Sequence, residues 1–350
     1  MSARSLVSPE ISNRLSVLRS LLVIFVIGIH AEKGLQAYYP DIPALLRIYL
    51  NIVPHNIFRL AVPIFFAISG YLFFLTYKPD VASYGRMIVK KTRTILIPYL
   101  LFNAISLLLI FIFNKIPYIG DINMVHQDGV LALLFGLNRY PVNYTLWFLR
   151  DLYIYFLLTP VFYIVTLEIP LLGLIVFWAI WMFVPQAGVP IELSGLLFFY
   201  GGGMLARLRV DLDGAKHLLL PVFALYLLLL CATASYEYVN GTVSYYHLLY
   251  RHSMIFGVLT VWLLSAYAPL HDNKTLLKLA GTSFFVYLVH EPILSYCIYG
   301  TRYLFKPSGT LVGIAYMWLL MAVDYALCLG LARILQRYAS RLYALASGAR

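Results

Sequence analysis

Arg14-Leu-Ser-Val-Leu-Arg19-Ser-Leu-Leu-Val-Ile-Phe-Val-Ile-Gly-Ile-His30 is an apolar stretch with guanidinium groups near one end and an imidazole at the other. At about 100° and 1.5 Å per residue, the eleven steps from Arg19 to His30 make almost whole turns of an α-helix. Both side chains then share one face, about 16 Å apart along the axis. The stretch is long enough to count towards the roughly 20 apolar residues that cross a bilayer. An ionisable group inside such a span is costly, which makes His30 a functional candidate. The competing reading is a core histidine bonded to a neighbouring carbonyl; Arg19 on the same face strengthens the functional one.

The whole chain fits that setting. Its 350 residues are 62% hydrophobic and 12% charged, against about 25% charged in soluble domains. An all-α polytopic membrane protein follows, with about ten transmembrane helices near 15–34, 56–77, 88–113, 146–167, 170–185, 194–208, 217–236, 249–268, 278–300 and 310–336. No soluble domain is left over, so 1–350 reads as a single domain with its core at about 12–338. The apolar run after the N-terminal arginines lacks a small-residue cleavage site, so the first helix is expected to stay. A net charge of +11 could suggest nucleic acid, but the cations fall at span ends, as the positive-inside rule requires. Lys90, Lys91, Arg93, Arg207, Arg209, Lys216, Lys274, Lys278, Arg333, Arg337 and Arg341 gather on one side, which puts both termini in the cytoplasm. Long outward segments are expected at 35–55 and 114–145, the second with a short interfacial helix at Gly129–Leu137. Cys231, Cys297 and Cys328 stand singly in apolar surroundings and read as packing residues.

Two further stretches carry candidate chemistry, and a third reads as packing alone. In Arg59-Leu-Ala-Val-Pro63-Ile-Phe-Phe-Ala-Ile-Ser69-Gly70-Tyr71, Pro63 frees a carbonyl and Gly70 admits a neighbouring helix, so a bent or closely packed span is expected. Gly201-Gly202-Gly203 likewise reads as close helix packing. Lys90 and Arg93 are i,i+3 neighbours that could hold phosphate, arginine with a planar fork; lipid headgroups and topology are the bland alternative. The spacing from Arg19 to His30 suits an enzyme that binds a large anionic carrier at one membrane face and reacts its far end inside.

Arg19-x10-His30, the Pro63–Tyr71 stretch, Lys90-x-x-Arg93 before Pro98, Leu146-Trp147-Phe148-Leu149 and Phe284-Phe-Val-Tyr287-Leu-Val-His290-Glu291-Pro292 occur in that order. Together they resemble the acyltransferase 3 family of bacterial ten-span membrane acyltransferases, most closely its short sugar O-acetyltransferases. The resemblance implies acyl-CoA, acetyl-CoA above all, as donor, with a hydroxyl of an envelope polysaccharide or lipid-linked sugar as acceptor. It places the protein in the bacterial cytoplasmic (inner) membrane. It makes His30 the essential histidine and Arg19 its basic partner, links Lys90 and Arg93 with the donor, and puts Trp147 on the path. Lysine at position 90 departs from the family's arginine, keeping the charge and losing the fork, so Arg93 is the firmer of the two.

On this reading His30 deprotonates an acceptor hydroxyl, or else takes the acyl group itself. A neutral imidazole needs its second nitrogen held by a partner. Glu32 is two residues away on another face; Asp151, Glu291 and Asp324 lie at suitable depths, with Asp151 preferred, although Arg150 could share its charge. His290 is either packing beside Pro292 or an acceptor contact. Arg59, Ser69, Trp147 and Arg150 are the other candidate acceptor contacts, with an interface anchor the alternative for Arg59. His55, His126, His217, His247, His252 and His271 lie in loops or at span ends without metal-ligand spacing, and no metal is expected. A transporter or flippase of a polar envelope precursor is the alternative, against which stands the lack of matched broken segments in two halves. A non-catalytic assembly partner is the third.

Overall fold

The computed structural model describes residues 9–36, 39, 42–138, 140–186, 189–210, 214–240, 248–266 and 272–348; His247 and His271 lie outside them. Helices occupy all ten expected positions. The first, α1 (Pro9–Gln36), is unbroken over both Arg19 and His30, the condition on which their shared face depends. Among the described residues, six helices are long and apolar enough to cross a membrane, and a seventh arises if Tyr144–Leu157 and Thr159–Glu168, bent by 59°, count as one span. Pro170–Phe183 and Leu193–Arg207, with 14 and 15 residues, fall short of a full crossing. Ser283–Leu304 is long enough but carries His290, Glu291 and Arg302. The chain is therefore a multi-pass helical membrane protein in which several elements are too short or too polar to face lipid along their whole length.

Prolines set the irregular steps. Pro54 lacks an amide hydrogen and its ring crowds the carbonyl four residues back. The chain answers with a π turn, Val53–Ile57, and a 3-10 turn, Phe58–Leu60, joining the helices Ala44–Ile52 and Ala61–Phe74. The irregularity expected at Pro63 thus falls at Pro54, and part of the segment at 35–55, expected to face outward, is helical. Asn56 Nδ2 satisfies the carbonyl of Asn51 at 2.7 Å, as buried backbone in a bilayer requires. Pro98 has the same effect: a π turn, Thr92–Leu96, precedes it between Val81–Lys91 and Ile97–Phe113. The segment at 114–145, also expected to face outward, holds a small hairpin (Lys115–Ile116 with Gly120–Asp121) and two short helices, Ile122–Asp128 and Val130–Phe135. Gly129 and Gly136 bracket the second of these with φ of 82° and 65°, values that favour glycine.

α1 runs through the centre, against Ala61–Phe74, Ser283–Leu304 and Thr310–Tyr338. Its lower end is fixed by Arg14, a fully buried guanidinium that donates to Ser265 Oγ (3.2 Å) and the Trp262 carbonyl (3.1 Å) and lies 4.8 Å from the Trp262 ring. Ala61–Phe74 and Leu193–Arg207 pack most intimately. A Cβ on Gly70 would stand 2.0 Å from the Phe199 carbonyl oxygen, and one on Gly202 2.0 Å from that of Ala67. Membrane helices associate through such close contact, since apolar burial adds little between them. Gly201 faces only Leu174, at 3.6 Å. Gly202→Leu is expected to destabilise the folded protein by about 1–3 kcal/mol or more, while Gly201→Ala leaves it unchanged. Thermal midpoints of the purified protein in detergent check the contrast.

Candidate active site

His30 sits at the edge of a buried polar cluster contributed by three elements. From α1 come His30 and, one turn on, Lys33; from the turn Tyr144–Leu146 comes Tyr144; from Ser283–Leu304 come His290 and Glu291. The Tyr144 hydroxyl lies 2.8 Å from His30 Nδ1. Lys33 Nζ donates to Glu291 Oε1 at 2.6 Å and to the Tyr144 hydroxyl. Glu291 Oε2 stands 3.9 Å from His30 Nδ1, and Ser295 Oγ adds a contact to Oε1 at 3.3 Å. His290, fully buried, lies behind, its ring centre 5.6 Å from that of His30. Its Nδ1–H donates to the Tyr287 carbonyl at 2.7 Å. Pro292, which removes an amide from this helix, sits just beyond. His30, His290 and Glu291 offer donor atoms within 4.8 Å of one another, a set that could hold a metal ion. Lys33 already stands beside Glu291, so the cluster carries its own cation.

In front of His30 opens a cavity of about 520 Å³, within the range of small-molecule sites. Arg59, Trp147, Tyr140, Trp181, Tyr250 and Glu192 line it together with Val26 and Pro63. On the wall beyond His30 along α1, Glu32 pairs with His55, Nε2 to Oε2 at 2.8 Å, and Gln36 Nε2 donates to Glu32 Oε1 at 2.9 Å. Both members of the pair are buried. Glu32 therefore does face the site, and His55 belongs to the cavity rather than to a loop. Spacing from His30 cannot show this, because His55 enters from the π turn beside Pro54. Lys33 and Tyr144 are the other participants missed. A second charge three residues after His30 is the signal for the lysine; the tyrosine has none.

The acid preferred from depth, Asp151, is engaged elsewhere. Its Oδ1 accepts from Arg150 Nε at 2.9 Å and its Oδ2 from the Glu192 amide at 2.8 Å. Arg150 also reaches the carbonyls of Gly136 and Pro190. The pair braces the segment before Leu193–Arg207, as the charge-sharing alternative foresees, and neither residue lines the cavity. Glu291 is the acid next to His30. Asp324 is fully buried against Cys328 Sγ at 3.8 Å. His290 and Ser69 do not line the cavity, which leaves Arg59 and Trp147 as the acceptor candidates that do.

Arg19 is half-buried, Lys90 and Arg93 are exposed. Among the described residues none of these three side chains forms a hydrogen bond or ion pair. None lines the cavity, whose lining residue nearest Arg19 on α1 is Val26. Seven residues separate the two, about 10 Å and nearly two whole turns, so Val26 continues the Arg19 face towards His30.

The chain is similar to the succinoglycan biosynthesis protein ExoH of Rhizobium meliloti (strain 1021), at 25% identity over 297 residues, 81% of this chain and 79% of the relative. No solved structure matches it significantly. The acyltransferase-domain model of the acyltransferase 3 family matches residues 12–333, taking in all but the first residues of α1, the cavity and the whole polar cluster, and the chain belongs to that family.

Proposed function

We propose that the protein is a bacterial inner-membrane O-acyltransferase that moves an acyl group, acetyl in the first instance, from cytoplasmic acyl-CoA to a hydroxyl of an envelope polysaccharide or lipid-linked sugar. The observation that carries the reading is an imidazole on the wall of a cavity between the helices, with its other nitrogen already engaged by Tyr144. Family membership supplies acyl transfer. The relative's name, a succinoglycan biosynthesis protein, points towards a polysaccharide, and the aromatic side chains of Trp147, Trp181 and Tyr250 beside Glu32 and Glu192 suit a sugar ring with its hydroxyls.

Arg19, Lys90 and Arg93, without protein partners among the described residues, would hold the phosphates of the donor. The pantetheine arm would follow the Arg19–Val26 face into the cavity. There His30 Nε2 takes the proton of the acceptor hydroxyl as its oxygen attacks the thioester carbonyl. The C–S bond breaks as the tetrahedral intermediate collapses, and the imidazolium returns the proton to the departing thiolate. Ester and free CoA result, with no atom unaccounted for. A thioester is already activated, so alignment with one base suffices. Arg59 would orient the acceptor from the outer side.

His30→Ala is expected to abolish acylation while the protein still folds and inserts. The readout is the mass of envelope glycans from cells with and without the protein, where active protein adds one acyl group. A full acyl complement with the alanine variant contradicts the assignment. Arg93→Ala and Arg19→Ala are each expected to raise the KM for acyl-CoA about tenfold, as the loss of one charge-assisted phosphate contact implies. Lys90→Ala has the smaller effect. Initial rates against acyl-CoA concentration in proteoliposomes measure all three.

A further inference from the structure

We propose that Lys33 is a catalytic residue of the transfer: its ammonium, one turn beyond His30 on α1, donates to the carbonyl oxygen of the acyl group and stabilises the negative charge which that oxygen acquires under attack. The proposal rests on the reading of His30 as the base and adds the group that faces the displaced electron pair.

The reaction calls for such a donor. As the acceptor oxygen bonds to the thioester carbon, the C=O π pair moves onto the carbonyl oxygen. It returns to re-form the carbonyl when the C–S bond breaks. Between the two events the oxygen carries a negative charge, and donors already aimed at it are usually the largest single contribution to such catalysis. No proton passes to or from Lys33; His30 carries the one that moves.

The cavity wall offers few donors for that oxygen. Among the described residues that line it, the Thr145 hydroxyl is given to Asn143 Oδ1 at 2.9 Å, the Tyr287 hydroxyl to the Thr145 carbonyl and the Ser194 hydroxyl to Glu192 Oε1 at 3.3 Å. The lysine and arginine of the wall are Lys33 and Arg59. Of these, Lys33 shares a helix with the base. Residues three apart on a helix are neighbours, with Cβ atoms about 5–6 Å apart, and His30 and Lys33 both line the cavity. The carbon under attack lies between its two oxygens. A base that holds one and a donor that holds the other must therefore flank it from adjoining positions, as these two do.

The contacts of Lys33 leave it able to serve. An ammonium has three hydrogens and no lone pair. Glu291 Oε1 takes one at 2.6 Å and the Tyr144 hydroxyl another, while the Tyr144 ring centre lies 4.1 Å from Nζ. These contacts hold the nitrogen in place and leave its third hydrogen for the cavity. The lysine side chain is 26% exposed and that of Glu291 1%, so the pair meets the cavity at its cationic end. The Tyr144 hydroxyl also stands 2.8 Å from His30 Nδ1. One phenol oxygen thus fixes donor and base relative to each other.

The test compares Glu291→Gln with Lys33→Met/Glu291→Gln in proteoliposomes, because the double variant leaves no charge of this pair buried alone. If Lys33 only neutralises Glu291, its removal in this background changes nothing. The catalytic role predicts a further fall in kcat of about 100-fold or more, as loss of one oxyanion donor produces, with the KM for acetyl-CoA within about twofold. A second readout needs no turnover: the infrared carbonyl band of acetyl-CoA labelled with 13C at the carbonyl and bound to the same two proteins without acceptor. A hydrogen bond from the ammonium weakens the C=O bond, so the band is expected at lower frequency with Lys33 than with methionine. Equal kcat, or a band that does not respond to Lys33→Met, overturns the assignment; where Glu291→Gln alone shows no turnover, the band decides. Either failure leaves the acyltransferase reading standing, which His30→Ala decides separately.

Discussion

The Glu291 carboxylate has almost no exposure, and what makes its burial tolerable is the Lys33 ammonium 2.6 Å away. A buried charge left alone costs several kcal/mol even after relaxation, and a bilayer offers no water to relieve it. The pair therefore binds α1 to Ser283–Leu304 at one height. Tyr144 and His30 are built on that height, the first through Lys33 and the second through Tyr144. Removing either ion would leave the other uncompensated, and with it would go the reference point from which the imidazole is aimed.

The remaining architecture brings that cluster to a cavity. Close approach of Ala61–Phe74 and Leu193–Arg207, through Gly70 and Gly202, holds the wall that carries Pro63. The π turn at Pro54 rotates His55 inward to meet Glu32. Arg150 and Asp151 fix the segment that presents Glu192. The last two devices substitute side-chain or altered backbone hydrogen bonds for a regular helix, where protein surrounds the chain.

What the sequence revealed follows from the kind of signal each residue leaves. α1 was legible because a long apolar run with charges near its ends has few other meanings. Its unbroken course carries the Arg19–His30 spacing into space. Gly202 was legible as close packing for a similar reason. Asp151 misled because depth in a span says nothing of direction, and the adjacent Arg150 takes its carboxylate. Helical phase from His30 turns Glu32 to another face, yet a residue from a π turn, invisible to a period of 3.6, reaches round to it. Tyr144 is one of 29 tyrosines and sits in a short 3-10 turn. Only the convergence of three elements distinguishes it.

The central claim is a continuous path, with donor phosphates at the basic end and the reacting carbonyl beside His30. A cryo-EM structure of the protein with a non-transferable acetyl-CoA analogue, its thioester sulfur replaced by methylene, tests it directly. The account predicts phosphates within hydrogen-bonding reach of Arg19 or Arg93 and the acetyl carbon in the cavity next to His30 Nε2. An analogue whose acetyl group lies outside that cavity, or whose phosphates are held elsewhere, would contradict it.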